Sequence, residues 1–319
     1  VLPALAGAAA AYVLWGLATA ANPAPPRLVV GALPLYLALW LTTVVLHAVR
    51  WRMVLRRLGT ELPLARLARL WLAARAVGSV VPSGTLGGEP IRAQLLTASG
   101  MSGASAAGAV ALDRALELAG NMIVGPICIG AALALGAGSG TGIVAMAMSA
   151  LVGLVVLVTI YVRGTRGLPA LAPLCGRPLW FLPQRWRTGF RVHAARADAA
   201  LHEMLTAHPR LVPAGVAVSL AIEGLHLFEL AALFAVFALA VPLPLLLLSS
   251  MGIGIAHAVP VTASLGALEA TQVGLFTVGG ESLATGLAVA VAIRLAETLS
   301  ILVGLACLAT APGRSRPAC

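Results

Sequence analysis

The chain has 319 residues, 60% of them hydrophobic and 10% charged, with a mean hydropathy of +0.98, whereas soluble domains carry about a quarter charged residues. This excludes a water-soluble globule, and the length allows about six to eight helical spans of roughly 20 residues each, leaving too little polar chain for a soluble catalytic domain. The net charge of +10 comes from 21 basic residues, all arginine, against 11 acids. These arginines cluster beside apolar stretches, a pattern that topology and anionic headgroups explain and that gives no ground for a nucleic-acid partner.

In chain order, residues 1–21 carry no charge and residues 28–49 only His47, so two spans are predicted, joined by Asn22-Pro23-Ala24-Pro25-Pro26. Arg50, Arg52, Arg56, Arg57, Arg66, Arg69 and Arg75 follow, a concentration that belongs on the cytoplasmic side. Residues 63–100 form a short apolar helix, the break Val81-Pro82-Ser83-Gly84-Thr85-Leu86-Gly87-Gly88-Glu89-Pro90, and a second short helix. Each half is too short to cross, which predicts a re-entrant hairpin buried in protein. Between Glu117 and Arg163 no charge occurs, enough for spans three and four with a break at residues 136–140.

Residues 163–210 hold arginines on a predicted cytoplasmic loop, with an interfacial helix over 184–207. Residues 211–240 form span five, 242–280 a second re-entrant hairpin around Val259-Pro260-Val261-Thr262-Ala263-Ser264, and 283–310 span six before Arg314 and Arg316. Trp51, Trp71, Trp180 and Trp186, lying among the arginines, are placed in an interfacial belt. Cys128, Cys175, Cys307 and Cys319 lack metal-ligand or disulfide-framework spacing, so no metal or cofactor is expected.

The two hairpin regions repeat one another. From Glu89 onward an offset of 180 aligns Glu89 with Glu269, Gly100 with Gly280, Ser102 with Ser282, Arg114 with Arg294 and Glu117 with Glu297, and eight of 29 ungapped positions are identical. Shared glutamates and arginines, the rarest classes in such a chain, make chance a poor explanation. Upstream, Leu41-x4-Leu46-His47 resembles Leu220-x4-Leu225-His226. The arginine loops send the hairpins in from opposite faces. The predicted fold class is therefore an all-α integral membrane protein with six transmembrane helices and two re-entrant helical hairpins in an inverted-topology repeat, residues 1–135 forming the first repeat and 136–319 the second. Such repeats, with broken helices meeting near the midplane, are a transporter architecture.

An ionisable side chain at the bilayer centre costs roughly 2.5–3.5 kcal/mol, so each needs a partner or a watery cavity. Arg114 and Glu117, like Arg294 and Glu297, are spaced to pair along one helix face, either fixing packing or holding a lipid phosphate. Glu89 and Glu269 open the outgoing helices, where a carboxylate complements the positive helix end; each either caps its helix or pairs with the arginine 25 residues on until phosphate displaces it. Arg92, opposite Gln272 in the repeat, is a candidate phosphate ligand, and Asp113 falls opposite Ile293 without a counterpart. Glu223, His226 and Glu229 form a polar stripe suited to a cavity wall or to proton binding. No H-E-x-x-H, G-x-S-x-G or Walker sequence is present, and the protein is read as no enzyme.

Arg50-Trp51-Arg52, Val81-Pro82-x4-Gly87-Gly88-Glu89-Pro90-x-Arg92-Ala93, Asp113-Arg114, and Pro260-x5-Gly266-x2-Glu269 with Arg294 resemble the lysylphosphatidylglycerol synthase transmembrane-region family. That family includes the flippase part of the bacterial multiple peptide resistance factor and standalone membrane proteins. Thr262-Ala263-Ser264 departs from it, standing where a Gly-rich run is expected. The resemblance implies a lipid flippase of the bacterial inner membrane, and the arginine-rich loops place both termini in the cytoplasm. Its partners would be membrane lipids, either an anionic or aminoacylated phospholipid or a glycolipid. The alternatives are an accessory or regulatory protein of lipid biosynthesis, for example of hopanoids or glycolipids, and a membrane-embedded transferase.

Single-cysteine labelling in cells is expected to reach both termini and residues 163–210 from the cytoplasm and the two hairpin tips from opposite faces. Same-side access to both tips would contradict the inverted order.

Overall fold

A computed structural model describes residues 28–81, 87–137, 140–170, 198–199, 202–203, 205–259 and 261–310. Outside them lie the predicted first span and its Pro-rich turn, the tip 82–86, Pro260, most of the interfacial segment, Trp180, Trp186, Cys175 and Cys319, and Arg314 and Arg316. The described residues are helical and contain no strand. After a 3-10 turn (Val30–Ala32) come α1 (Leu33–Arg57), α2 (Leu64–Val80), α3 (Glu89–Thr97), α4 (Gly103–Ala134), α5 (Thr141–Thr165), α6 (Leu211–Val236), α7 (Leu243–Ala258), a 3-10 turn (Thr262–Ser264), α8 (Ala267–Val278) and α9 (Leu283–Ala309). Five helices among them, α1 with its leading turn, α4, α5, α6 and α9, are long and apolar enough to cross a bilayer. The chain is a multi-pass membrane protein.

Local chemistry sets the boundaries. Pro63 and Pro242 stand at the N-caps of α2 and α7 with nearly the same backbone angles, φ −59° and ψ 141° against φ −57° and ψ 141°. Val81 and Val259, each followed by proline, are extended (ψ 131° and 127°) and end those helices, because a residue before proline is pushed out of the helical region. Ser102 and Ser282, 180 positions apart, cap α4 and α9 by accepting from the backbone N–H of Ser105 (3.2 Å) and Thr285 (3.1 Å). The hairpin elements thus share local structure as well as sequence.

At 17 and 16 residues, α2 and α7 reach only about 25 Å at 1.5 Å per residue, short of the hydrocarbon core. The end of α2 and the start of α3 approach closely: a β-carbon on Gly78 would meet the Gly88 backbone at 2.7 Å, and one on Gly88 the Ala74 carbonyl at 2.7 Å. α2 also packs against α9 and α7 against α4, while α1 packs along α6. One apolar core joins α1–α4 around Trp51, Leu55, Leu67 and Leu96. The other is dominated by α6–α9 around Phe234, Leu248, Leu268 and Phe276.

The structure corrects two expectations about the arginine-rich segment. α1 runs through the arginines to Arg57, and Arg50 is 1% exposed rather than at a cytoplasmic surface. Trp51 and Trp71, expected in an interfacial belt, are buried in the first core. Helix continuity explains both, since α1 carries Arg50 inward to buried acids.

Gly304 of α9 lies directly against the backbone of Leu72 and the side chain of Ala76 on α2. Gly304→Val is expected to force these helices apart at a cost of about 1–3 kcal/mol, measured as a lower thermal midpoint in detergent, whereas Gly274→Ala, with open space around it, leaves the midpoint unchanged.

Candidate functional site

The short α3 begins beside the middle of α4, and Arg92, one turn into α3, reaches Asp113 there. Asp113 is fully buried and shared by two arginines: Arg92 Nη2 donates to Oδ2 at 2.5 Å, and Arg50 Nε donates to Oδ1 at 2.9 Å. Arg50 also donates to Ser219 (3.2 Å) and Glu117 (3.0 Å) and meets His47 Nδ1 at 3.3 Å. Because an arginine is always a donor, His47 Nδ1 is the acceptor here and the ring proton belongs on Nε2. The Arg92 guanidinium lies over Trp51, 4.3 Å from its ring centroid, and reaches Glu89 at 3.4 Å. Glu117 bridges Arg50 to Arg114, whose Nη1 donates to Oε1 at 2.5 Å.

The second hairpin holds a smaller counterpart. Arg294 donates from Nε (2.7 Å) and Nη2 (3.2 Å) to Glu269, from Nη1 to Glu297 (2.9 Å) and to the Ala263 carbonyl, and from Nη2 to the Ser264 carbonyl (2.8 Å). All five donors of its guanidinium are therefore engaged. These bonds tie down a tip in which Ala263 and Ser264 adopt φ of 50° and 52°, a region unfavourable for residues with a β-carbon. Glu269 accepts from the Gly266 N–H at 2.7 Å and so caps α8 as well as pairing with Arg294. His257 Nε2 lies 2.7 Å from the other oxygen of Glu297. Opposite Arg92 in the repeat, buried Gln272 accepts from Ser249 at 2.6 Å.

The two clusters face one cavity of about 160 Å³. Glu89, Arg92, Arg114, Glu117 and Glu297 are in its wall, joined by Arg75, His257 and Trp71. Of the site residues proposed from sequence, these five are therefore brought together, while Glu269 and Arg294 stand directly behind Glu297 and the 261–264 tip. Glu223, His226 and Glu229 lie elsewhere, on α6 toward α1: His226 Nδ1 is 3.7 Å from Glu223, and its ring is 6.1 Å from that of His47.

Sequence reasoning missed Asp113 as the shared acid, Arg50 as its partner, His257, and Arg75. Asp113 and Arg50 stood in the motifs of the family resemblance, but nothing linear linked residues 63 positions apart. Arg75 was counted among loop arginines, yet α2 carries it to the cavity, where it sits 5.4 Å over the Trp71 ring. Among the described residues Arg75 meets no carboxylate at ion-pair distance, unlike Arg50, Arg92, Arg114 and Arg294.

The model of the lysylphosphatidylglycerol synthase TM region family matches residues 2–304, nearly the whole chain. The chain belongs to that family. No curated protein matched it. Membership makes this a membrane protein of a lipid-related family, and the buried arginine–carboxylate clusters lie within the matched region.

Removing one member of a buried ion pair strands the other, at about 3–5 kcal/mol. Asp113→Asn is expected to destabilise the fold by that order, seen as loss of most monodisperse protein in size-exclusion chromatography, whereas Glu89→Gln at the cavity wall retains it.

Proposed function

We propose that the protein moves a headgroup-bearing lipid between the leaflets of the bacterial inner membrane, with both termini in the cytoplasm. The lipid is an anionic or aminoacylated phospholipid or a glycolipid. In this reading the six spans and two re-entrant hairpins form an inverted repeat, 1–135 and 136–319, whose hairpins meet at the cavity; the chain acts as a transporter rather than an enzyme. The family supports the lipid context, and the exchanged packing of each hairpin on the other half's closing span supports the repeat.

The observation that carries the proposal is Arg75, a cation in the cavity wall at ion-pair distance from no carboxylate among the described residues. Every other arginine of the two clusters is neutralised by a protein acid. A lipid phosphate entering the cavity would complete the set without breaking an existing pair. The cavity, about 160 Å³, would seat the polar headgroup while the acyl chains stay in the bilayer. Saturation of Arg294 favours a structural role for that residue, and an accessory membrane protein would need nothing more than such sealed pairs; Arg75 is what separates the two readings.

In proteoliposomes containing tail-labelled fluorescent phosphatidylglycerol, the protein is expected to expose inner-leaflet label to an external quencher. Arg75→Gln should slow this about tenfold or more, since a charge-assisted hydrogen bond contributes roughly 1.5–3 kcal/mol, with the fold intact and partial rescue by Arg75→Lys. Exposure no faster than in empty liposomes, or an unchanged Arg75→Gln rate, would contradict the proposal.

A further inference from the structure

Charge counting separates α6 from the rest of the interior. Clear of the arginine-rich helix ends, the four arginines Arg50, Arg92, Arg114 and Arg294 are already held by five carboxylates outside α6, Glu89, Asp113, Glu117, Glu269 and Glu297, with Arg75 beside them in the cavity wall. Among the described residues no arginine stands at ion-pair distance from Glu223 or Glu229, which lie on a helix long and apolar enough to cross a membrane, and Arg75 acts on Glu229 only from further off. Glu223 has His226 at 3.7 Å and the Asn121 amide of α4 against it. Glu229 has no ion-pair partner among the described residues, and its Oε2 is buried without a hydrogen bond. Even a charged His226 would balance only one of the two carboxylates, and an uncompensated charge at this depth is strongly unfavourable.

We propose that the Glu223–His226–Glu229 stripe of α6 binds a proton, with Glu229 as its principal carrier, and that release of this proton to the other face couples lipid movement to the proton gradient. The coupling rests on the transport reading; the protonated carboxyl does not. No bond other than the O–H of the carboxyl forms or breaks, and water on the two faces supplies and accepts the proton. The groups facing the stripe fit a proton site. From α1 come His47, its rings tilted at 41° to His226, and Tyr36; from α2 comes Arg75; from α4 come Asn121 and Cys128. On α7 and α9, which also pack against α6, His257, Arg294 and Glu297 are committed to one another in the cavity cluster.

His47 joins this stripe to the headgroup site. Its Nδ1 takes a bond from Arg50 and its ring stacks on Trp71 at 4.2 Å, beside the cavity, while its Nε2 is buried without a partner on the described residues. His47 and His226, matched in the sequence repeat, are brought together here by the packing of α1 along α6. A change of charge on α6 is therefore one residue away from Arg50, and through Arg50 from the acids that hold Arg92 and Arg114.

Two measurements test this. Infrared spectroscopy of the protein in lipid at pH 7 should show a protonated carboxylic-acid carbonyl band that Glu229→Gln diminishes and the Glu223→Gln/Glu229→Gln pair removes further; no such band in the wild type would overturn the proton site. In proteoliposomes with fluorescent phosphatidylglycerol, a one-unit pH gradient should drive the label into one leaflet at a steady ratio of up to about tenfold for one coupled proton, and Glu229→Gln should lose that asymmetry. Lipid movement that stays symmetric under the gradient in the wild type would overturn the coupling alone, whereas no movement with or without the gradient would overturn the transport reading beneath it.

Discussion

A charge in hydrocarbon must be neutralised where it stands, and the interior of this protein is organised by that requirement. Asp113 is its centre. One carboxylate with no exposure takes bonds from Arg50 of α1 and Arg92 of α3, fixing two helices against α4. Neither arginine could remain at that depth without it, and each then reaches a second acid on the cavity side. Arg294 meets the same requirement in the other half by binding Glu269, Glu297 and two carbonyls of the hairpin tip. The short hairpin helices are thereby held in place by ion pairs and by close backbone packing.

What the sequence made legible followed from local rules. Apolar length marked the spans, Pro and Val-Pro marked the ends of α2 and α7, and Ser102 and Ser282 marked the starts of α4 and α9. The 180-residue offset singles out Glu89, Arg114, Glu117 and Glu297, which the fold places in the cavity wall, and Glu269 and Arg294, which stand behind it. What escaped was tertiary. Arg50 and Arg75 read as loop charges because composition cannot show which face of a helix turns inward, and Asp113 was set aside for lacking a counterpart in the repeat. Where Arg92 pairs with Asp113, Gln272, 180 residues on, takes a bond from Ser249 instead.

The same electrostatics divide the interior into two kinds of site. Around the cavity, Arg50, Arg92, Arg114 and Arg294 are paired with acids, while Arg75 is at ion-pair distance from none among the described residues and stands open to an incoming anion. Along α6 the acids have histidine, amide and hydroxyl neighbours, with Arg75 beyond ion-pair distance, surroundings that leave room for a proton. His47 stands between the two, bonded to Arg50 on one side and facing His226 on the other. Matched pairs give a rigid frame, and the two unmatched groups are where ligand and proton would act on it.

The most direct test of a headgroup seat between the hairpins is a cryo-EM structure of the protein in nanodiscs of phosphatidylglycerol. The account predicts phosphate density in the cavity within hydrogen-bonding distance of the Arg75 guanidinium, with acyl density leading outward to the bilayer. A well-ordered cavity filled by protein side chains, with Arg75 turned onto a carboxylate and no lipid between the hairpins, would contradict it.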